Sequence, residues 1–141
     1  MTQAQDLTTP GTPDPSFALN GLLTLPIPGI ASHEAAAVLA LPDGKLLVAL
    51  PLEGNDAPLA IARLAEDGTL DKSFGSHETG FVEISLNGAS ISTVFGLDAL
   101  RDGGWLVRVQ YFTQKAVDAG QAMIRLKGDG ELDDSFGDNG V

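Results

Sequence analysis

The chain contains no cysteine, which removes disulfide bridges, thiolate zinc sites and cysteine nucleophiles from consideration. Positive charge is also scarce: 8 lysines and arginines stand against 19 aspartates and glutamates, for a net charge of −11. Because such a chain repels phosphate groups, we expect no nucleic-acid partner and no attachment to anionic membranes. No apolar run approaches the length of a bilayer, so we expect no membrane span.

Targeting signals are equally sparse. The first residues lack the basic and then apolar pattern of a Sec signal peptide. The missing cysteine does not decide the compartment, since many secreted bacterial proteins also lack it. The sequence therefore leaves a cytoplasmic location and export by a signal-independent route both open.

Groups suited to catalysis are few. The only histidines are His33 and His77. Ser76 and Glu78 flank His77 in the chain, but neighbours on one loop do not make a triad, and no nucleophile-elbow pattern is present. No glycine-rich phosphate loop follows a strand and opens a helix. We therefore expect no enzyme and no cofactor, and a hydrolase ranks third among the possible functions.

What the chain does have is a phrase of seven residues that it repeats. It reads Gly11-Thr-Pro-Asp-Pro-Ser-Phe17, then Gly68-Thr-Leu-Asp-Lys-Ser-Phe74, then Gly130-Glu-Leu-Asp-Asp-Ser-Phe136. A recurrence at a period near sixty residues predicts a repeat architecture. We divide the chain into an N-terminal leader with the end of a further unit (1–19), a first unit (20–78) and a second unit (79–141).

Each unit is predicted to form four short strands. An offset of 59 residues aligns the first three strands, and an offset of 62 aligns the fourth, which places three extra residues in the loop at about 114–120. Asp43-Gly44 and Asp102-Gly103 lie between apolar segments, as in tight hairpins. The strands are expected at 22–27, 33–41, 45–50 and 59–65, and at 80–86, 92–100, 104–112 and 122–127. Apolar residues on both faces of the third strand predict sheets stacked on sheets.

The repeated phrase is interpreted as a structural motif. Its aspartates can accept backbone N–H bonds and hold a turn, and its phenylalanines can fill the space between neighbouring sheets. Arg63 and Arg125 occupy matching positions and are expected to pair with a repeat aspartate. The motif residues are Asp67, Gly68, Asp71, Phe74, Asp129, Gly130, Asp133 and Phe136.

A calcium loop is the alternative interpretation of this phrase. Its ligands would be Asp129, Asp133, Asp134 and Asp138, because calcium takes six to eight oxygens in one shell. The first unit has Lys72 where the second has Asp134, so the acidic set is not repeated. The structural turn is therefore the favoured interpretation, and no metal site is predicted.

These motifs resemble the delta-60 repeat family of bacterial proteins. The resemblance rests on Leu41-Pro-Asp-Gly-Lys45, on the stretch 62–75 and on the second copy at 124–137. It implies propeller-type blades and no defined catalytic residues, usually in longer arrays within large and often surface-associated proteins. This chain differs in having two units, and Arg101 and Gly104 replace the proline and lysine of the family's hairpin.

Two blades do not close a ring, because propellers have about four to eight. Open sheet faces and edges favour association, so we expect an all-β chain of two four-stranded antiparallel blades that completes a β-propeller as a homo-oligomer. Head-to-tail packing is expected to need no change of register, and a trimer of six blades is favoured. The structural alternatives are a segment of a longer array and a paired β-sandwich.

The best candidates for ligand binding are aromatic residues. Trp105 and Tyr111 share one face of a predicted strand, and Arg108 or Asp98 would supply polar contacts to a sugar. Trp105 aligns with Leu46, so that position also fits core packing. We expect a non-catalytic scaffold that binds copies of itself and a protein or glycan ligand. The alternative function is a carbohydrate-binding lectin or an exported bacterial interaction factor.

Overall fold

A computed structural model of the chain describes residues 9–31, 36–113 and 119–141. Within these ranges the chain forms seven strands and no helix, which confirms the expected all-β fold. The same ranges therefore hold no helix with the length and apolarity that a bilayer crossing requires. The strands are β1 (Ala37–Ala40), β2 (Leu46–Pro51), β3 (Leu59–Leu64), β4 (Phe81–Ile84), β5 (Ala89–Ala99), β6 (Trp105–Thr113) and β7 (Ala119–Leu126).

The strands form two antiparallel sheets. The first sheet has the order β1-β2-β3-β4 and the second has the order β5-β6-β7. β4 is the opening strand of the second repeat unit, yet it pairs with β3 of the first unit. Each sheet therefore begins with the second strand of a unit, and the first sheet takes its last strand from the unit that follows.

The second sheet has three strands among the described residues, where four were expected. The fourth strand place, which β4 occupies in the first sheet, has no strand in the second sheet among these residues. The strand expected at 22–27 is also absent, and that prediction was wrong. The segment 23–27 forms no backbone hydrogen bond to any described residue. The physical reason is the shift just described: an opening strand pairs with the last strand of the preceding unit, and the described residues contain no such strand beside segment 22–27.

The hairpins follow the sequence prediction. Asp43-Gly44 joins β1 to β2 and Asp102-Gly103 joins β5 to β6, with φ of 83° at Gly44 and 87° at Gly103. Glycine adopts this left-handed conformation without the steric penalty of a Cβ. The register confirms the alignment, since Val48 pairs with Ala62 in the first sheet as Val107 pairs with Ile124 in the second.

Two of the predicted elements lie partly outside the residues that the structure describes. The strand expected at 33–41 begins at Ala37, and His33 lies in the undescribed stretch 32–35. The loop expected to hold three extra residues falls mostly on 114–118, which is also outside the described ranges.

The main core lies between the two sheets. Leu47, Leu59 and Ile61 of the first sheet pack in one buried cluster with residues of the second sheet such as Val107 and Ile124. The opposite face of the first sheet packs in a second cluster with segment 22–30, including Leu23, Leu25, Ile27 and Ile30. Strands β2 and β3 of the first sheet are therefore covered on both faces, whereas the outer face of the second sheet exposes Phe95, Phe112 and Met123.

Candidate functional site

Three turns recur along the chain, one for each copy of the repeated phrase. We name them the first turn (11–22), the second turn (68–81) and the third turn (130–141). In each, an aspartate side chain accepts the N–H of the residue two positions later: Asp14 from Ser16 at 2.9 Å, Asp71 from Ser73 at 3.1 Å and Asp133 from Ser135 at 3.2 Å. These bonds agree with the turn-forming role predicted for the aspartates, and of the phrase's phenylalanines Phe74 is buried in the core between the sheets.

Asp71 is the most heavily used carboxylate of the described residues. Its Oδ2 lies 2.7 Å from Lys45 Nζ and 2.8 Å from Arg63 Nε, and its Oδ1 accepts from Ser73. The Lys45 ammonium and the Ser73 hydroxyl hold the pKa of this carboxyl well below its ordinary value of 3.8. The ammonium and the guanidinium therefore attach the second turn to β2 and β3 while Asp71 is ionised.

Replacing Asp71 by asparagine is expected to lower the free energy of unfolding at pH 7 by about 2 kcal/mol, because two cations lose their anion. Since the folded pKa lies below the unfolded one, the carboxylate stabilises the fold above pH ~4, and this contribution disappears as the pH falls through the folded pKa. The difference between wild type and Asp71→Asn should therefore shrink in acid. Urea unfolding at pH 7 and pH 3 measures it.

The control for this prediction is Asp134→Asn, at an exposed position of the third turn. This change should leave the unfolding free energy within experimental error at both values of pH. A deficit in Asp71→Asn that stays constant between pH 7 and pH 3 contradicts the assigned role of the charge.

In the second unit an ion pair also attaches the turn to its sheet, but some of its partners differ. Arg125 Nε lies 3.0 Å from Asp133 Oδ2, which confirms the predicted arginine–aspartate pairs of both units. Gly104 stands where the first unit has Lys45, and Asp102 of the hairpin instead bonds Arg125 from the other side. The N–H of Gly104 and the Arg125 guanidinium lower the pKa of Asp102.

The acids of the alternative calcium loop are used in other ways. Asp129 accepts the N–H of Glu131, Asp133 bonds Ser135 and Arg125, and Asp138 bonds the side chain of Asn139. Across the described residues, no group of three acidic or histidine side chains is arranged to hold a metal ion. Asp129, Asp133, Asp134 and Asp138 thus give the calcium alternative no geometric support.

The three candidate binding residues do not share a surface. Trp105 is 9 % exposed and packs in the core between the sheets, as its alignment with Leu46 indicated. Arg108 lies on the outer face of the second sheet, with its Nη2 3.5 Å from Asp98. Tyr111 packs over Gly120 and lines an open groove beside β7. A joint sugar platform of Trp105 and Tyr111 with Arg108 is therefore not assembled.

His77 lies in a second groove, between β4 and the third turn, near Glu83 and Glu131. No hydrogen bond joins it to Ser76 or Glu78 in the described part of the chain. The three neighbours do not form the geometry of a catalytic triad.

The feature that stands out is the outer edge of β7, which pairs with no strand among the described residues. In the first sheet the equivalent strand β3 is covered by β4. Met123 on β7 is also 52 % exposed on the outer face, whereas its counterpart Ile61 is fully buried between the sheets. An apolar groove of about 640 Å³ runs beside this edge, and its lining includes Leu86, Tyr111, Phe136 and Val141. An open edge beside an apolar groove is suited to pairing with an extended strand.

The edge already holds the beginning of such a pairing. Arg125 N–H donates to the carbonyl of Gly140 at 2.9 Å, as Arg63 N–H donates to the carbonyl of Gly80 at 3.0 Å where β4 begins. Val141 therefore stands where β4 has Phe81. The alignment of the two units does not by itself reveal this edge, and the signal available in the sequence was the glycine that ends each turn, at Gly21, Gly80 and Gly140.

One family model matches the chain at residues 58–74, and its description is "Domain of unknown function (DUF5122) beta-propeller". The matched stretch covers β3 and the part of the second turn that ends at Phe74. No curated protein and no solved structure matches the chain. The match supports a β-propeller repeat family and agrees with the two stacked antiparallel sheets.

Proposed function

We propose that the chain is a non-catalytic scaffold of delta-60-type propeller blades, which assembles with copies of itself head to tail. The observation that carries the proposal is a pair of complementary gaps. Among the described residues no strand pairs with the outer edge of β7, and segment 22–27 has the position of such a strand in the repeat but forms no ladder. One copy offers the edge and the next copy offers the strand.

The register of this pairing follows from the first sheet. There, Ile61 pairs with Val82 and Leu59 with Ile84. In the repeat alignment Met123 and Gln121 are equivalent to Ile61 and Leu59. We therefore expect Met123 to pair with Leu23, and Gln121 with Leu25, of the next copy. The N–H of Arg125 points to the outer edge of β7, where it donates to the Gly140 carbonyl. Since the N–H groups of a strand point to alternate sides, those of Met123 and Gln121 face the same edge.

The donated segment is already placed for this role. Leu23 and Leu25 pack on the first sheet of their own chain, as Val82 and Ile84 pack in the core shared with the second sheet. A copy that adds its segment to a neighbour's β7 therefore also brings its first sheet onto the neighbour's outer face. That contact covers Met123, which the single chain leaves exposed.

The interface between copies is more polar than the interface within one chain. Ala49 and Leu59, buried between the sheets, correspond to Arg108 and Gln121 on the outer face of the second sheet. We therefore expect a reversible assembly. A trimer of six blades is the favoured closure, within the range of about four to eight blades that close a propeller.

The lectin alternative now depends on Tyr111, since Trp105 is in the core. It remains a prediction, as does the absence of enzymatic activity. The groove that Tyr111 lines borders the β7 edge, so an occupied edge would also reshape this groove.

The proposal is tested by light scattering over a wide range of protein concentration. We expect a mass that rises from the 14.6 kDa of one chain toward three times that value. A mass that stays at 14.6 kDa through the high micromolar range contradicts self-assembly.

A further inference from the structure

The first and third turns are the same structure built twice. In the first turn Phe17 N–H donates to Asp14 O at 3.1 Å and Gly21 N–H to Phe17 O at 2.8 Å. In the third turn the same bonds run from Phe136 to Asp133 at 3.0 Å and from Gly140 to Phe136 at 2.7 Å. The paired bonds between Leu19 and Leu22 recur between Asp138 and Val141.

The left-handed positions of the two turns also agree. Ala18, Asn20 and Gly21 have φ of 46°, 52° and 87°, and Gly137, Asn139 and Gly140 have φ of 53°, 52° and 97°. The second turn reaches the same end point, at Gly80, through a loop that is two residues longer. The first and third turns are therefore interchangeable in shape.

The first and second turns each dock on the unit that follows them, and both do so through an equivalent backbone hydrogen bond and ring contact. Ala18 N–H donates to Asp67 O at 2.7 Å, and the Phe17 ring lies against Gly68. Likewise Gly75 N–H donates to Asp129 O at 2.8 Å, and the Phe74 ring lies against Gly130. We call the surface around Asp67 and Gly68 the first slot.

The third turn carries the same docking groups, but they are unused within the described residues. Gly137 N–H donates to no backbone acceptor there, and Phe136 is half-buried. In a head-to-tail assembly this turn meets the first slot of the next copy. That slot is already filled by the next copy's own Phe17 and Ala18.

We infer that the first turn is an internal cap on the first slot, and that the third turn of a second copy displaces it during assembly. The inference rests on the proposed self-assembly and adds a competition to it. Both turns lead into the same strand position, because Val141 and Leu22 both follow the glycine that ends the turn. They therefore cannot dock on one slot together, and the first turn must release before Leu23 and Leu25 pair with β7 of the neighbour.

This competition sets the apparent affinity. A copy whose slot is capped cannot bind, so the dissociation constant is raised by the ratio of capped to uncapped molecules. Weakening the cap should strengthen assembly, and weakening the third turn should weaken it. Equivalent changes in the two turns are thus expected to act in opposite directions.

The two matched variants are Gly21→Val and Gly140→Val. Each glycine has a positive φ that valine avoids, and an added Cβ would lie 2.5 Å from Pro13 Cβ in the first turn and 3.1 Å from Leu132 Cδ2 in the third. A penalty of 1–2 kcal/mol changes an equilibrium about tenfold. Light scattering of the full chain should show Gly21→Val assembling at about tenfold lower concentration, and Gly140→Val at about tenfold higher.

Ala18→Pro provides a second cap variant, because proline removes the N–H that bonds Asp67 and cannot adopt a φ of 46°. Circular dichroism and the urea midpoint check that each variant folds. If the wild type assembles and both cap variants assemble equally well or less well, the cap is refuted and the scaffold stands. If the wild type and the cap variants are all monomeric, the proposed self-assembly itself is refuted.

Discussion

Replacing Phe74 by alanine is expected to lower the free energy of unfolding by about 3–5 kcal/mol, the range for deleting a buried phenylalanine side chain. Phe74 is fully buried in the core between the sheets. Its ring lies against Gly130, and the Arg63 guanidinium lies 5.0 Å from the ring centroid. The substitution removes the side chain that joins the second turn, β3 and the third turn. Urea unfolding followed by tryptophan fluorescence measures the loss at Trp105, in the same core.

The matched control is Phe136→Ala, in the same position of the repeat. Phe136 is half-buried and borders the groove beside β7, with Arg125 5.8 Å from its ring centroid. Its removal should lower the unfolding free energy of the single chain by no more than about 1–2 kcal/mol. Equal losses in the two variants contradict the assignment of Phe74 as the residue that fills the space between the sheets.

Replacing Gln121 by proline is expected to raise the dissociation constant of the assembly at least about tenfold while leaving the chain folded. The N–H of Gln121 faces the open edge, so its loss does not break a bond between β7 and β6. Proline is tolerated on an edge strand but cannot donate to an added strand. Light scattering at a concentration where the wild type assembles should therefore give the mass of a single chain.

The control for this change is Gln121→Thr, which keeps the N–H and suits a strand. It should assemble as the wild type does. The urea midpoint of Gln121→Pro, measured below the assembly concentration, should stay close to that of the wild type. Undiminished assembly of a folded Gln121→Pro chain places the interface away from β7.

Much of the local structure could be predicted from the sequence, because short-range rules determine it. The hairpins at Asp43-Gly44 and Asp102-Gly103 formed because glycine accepts a positive φ between apolar strands. The aspartates of the repeated phrase accept backbone N–H groups two residues later, and Arg63 and Arg125 pair with them. These features depend on residues close in sequence or on one alignment between units.

The wrong strand at 22–27 shows where the sequence stops being sufficient. This segment aligns with β4, but a ladder needs a partner strand, and the order of strands in the sheet decides which partner is available. The alignment showed which segments are equivalent, but not that β4 crosses to the preceding unit. Because of that one shift, segment 22–27 and the outer edge of β7 have no partner strand among the described residues.

The candidate binding residues show a second limit. Alternation along β6 correctly separates Arg108 from Trp105 and Tyr111. It does not tell which face is buried, because both faces of this strand carry apolar residues. Trp105 is in the core because the first sheet packs on its face, and Tyr111 borders the groove because no described strand pairs with β7 on that side.

Amide hydrogen exchange at β7 tests the completion of the second sheet most directly. In the first sheet, the N–H groups of Leu59 and Ile61 are covered by β4, and those of Gln121 and Met123 are their counterparts. We expect the amides of Gln121 and Met123 to exchange rapidly in dilute protein and to slow, as assembly proceeds, toward the rates of Leu59 and Ile61. Amides at Gln121 and Met123 that exchange at the same fast rate in the assembled and the dilute protein contradict a strand from a second copy on this edge.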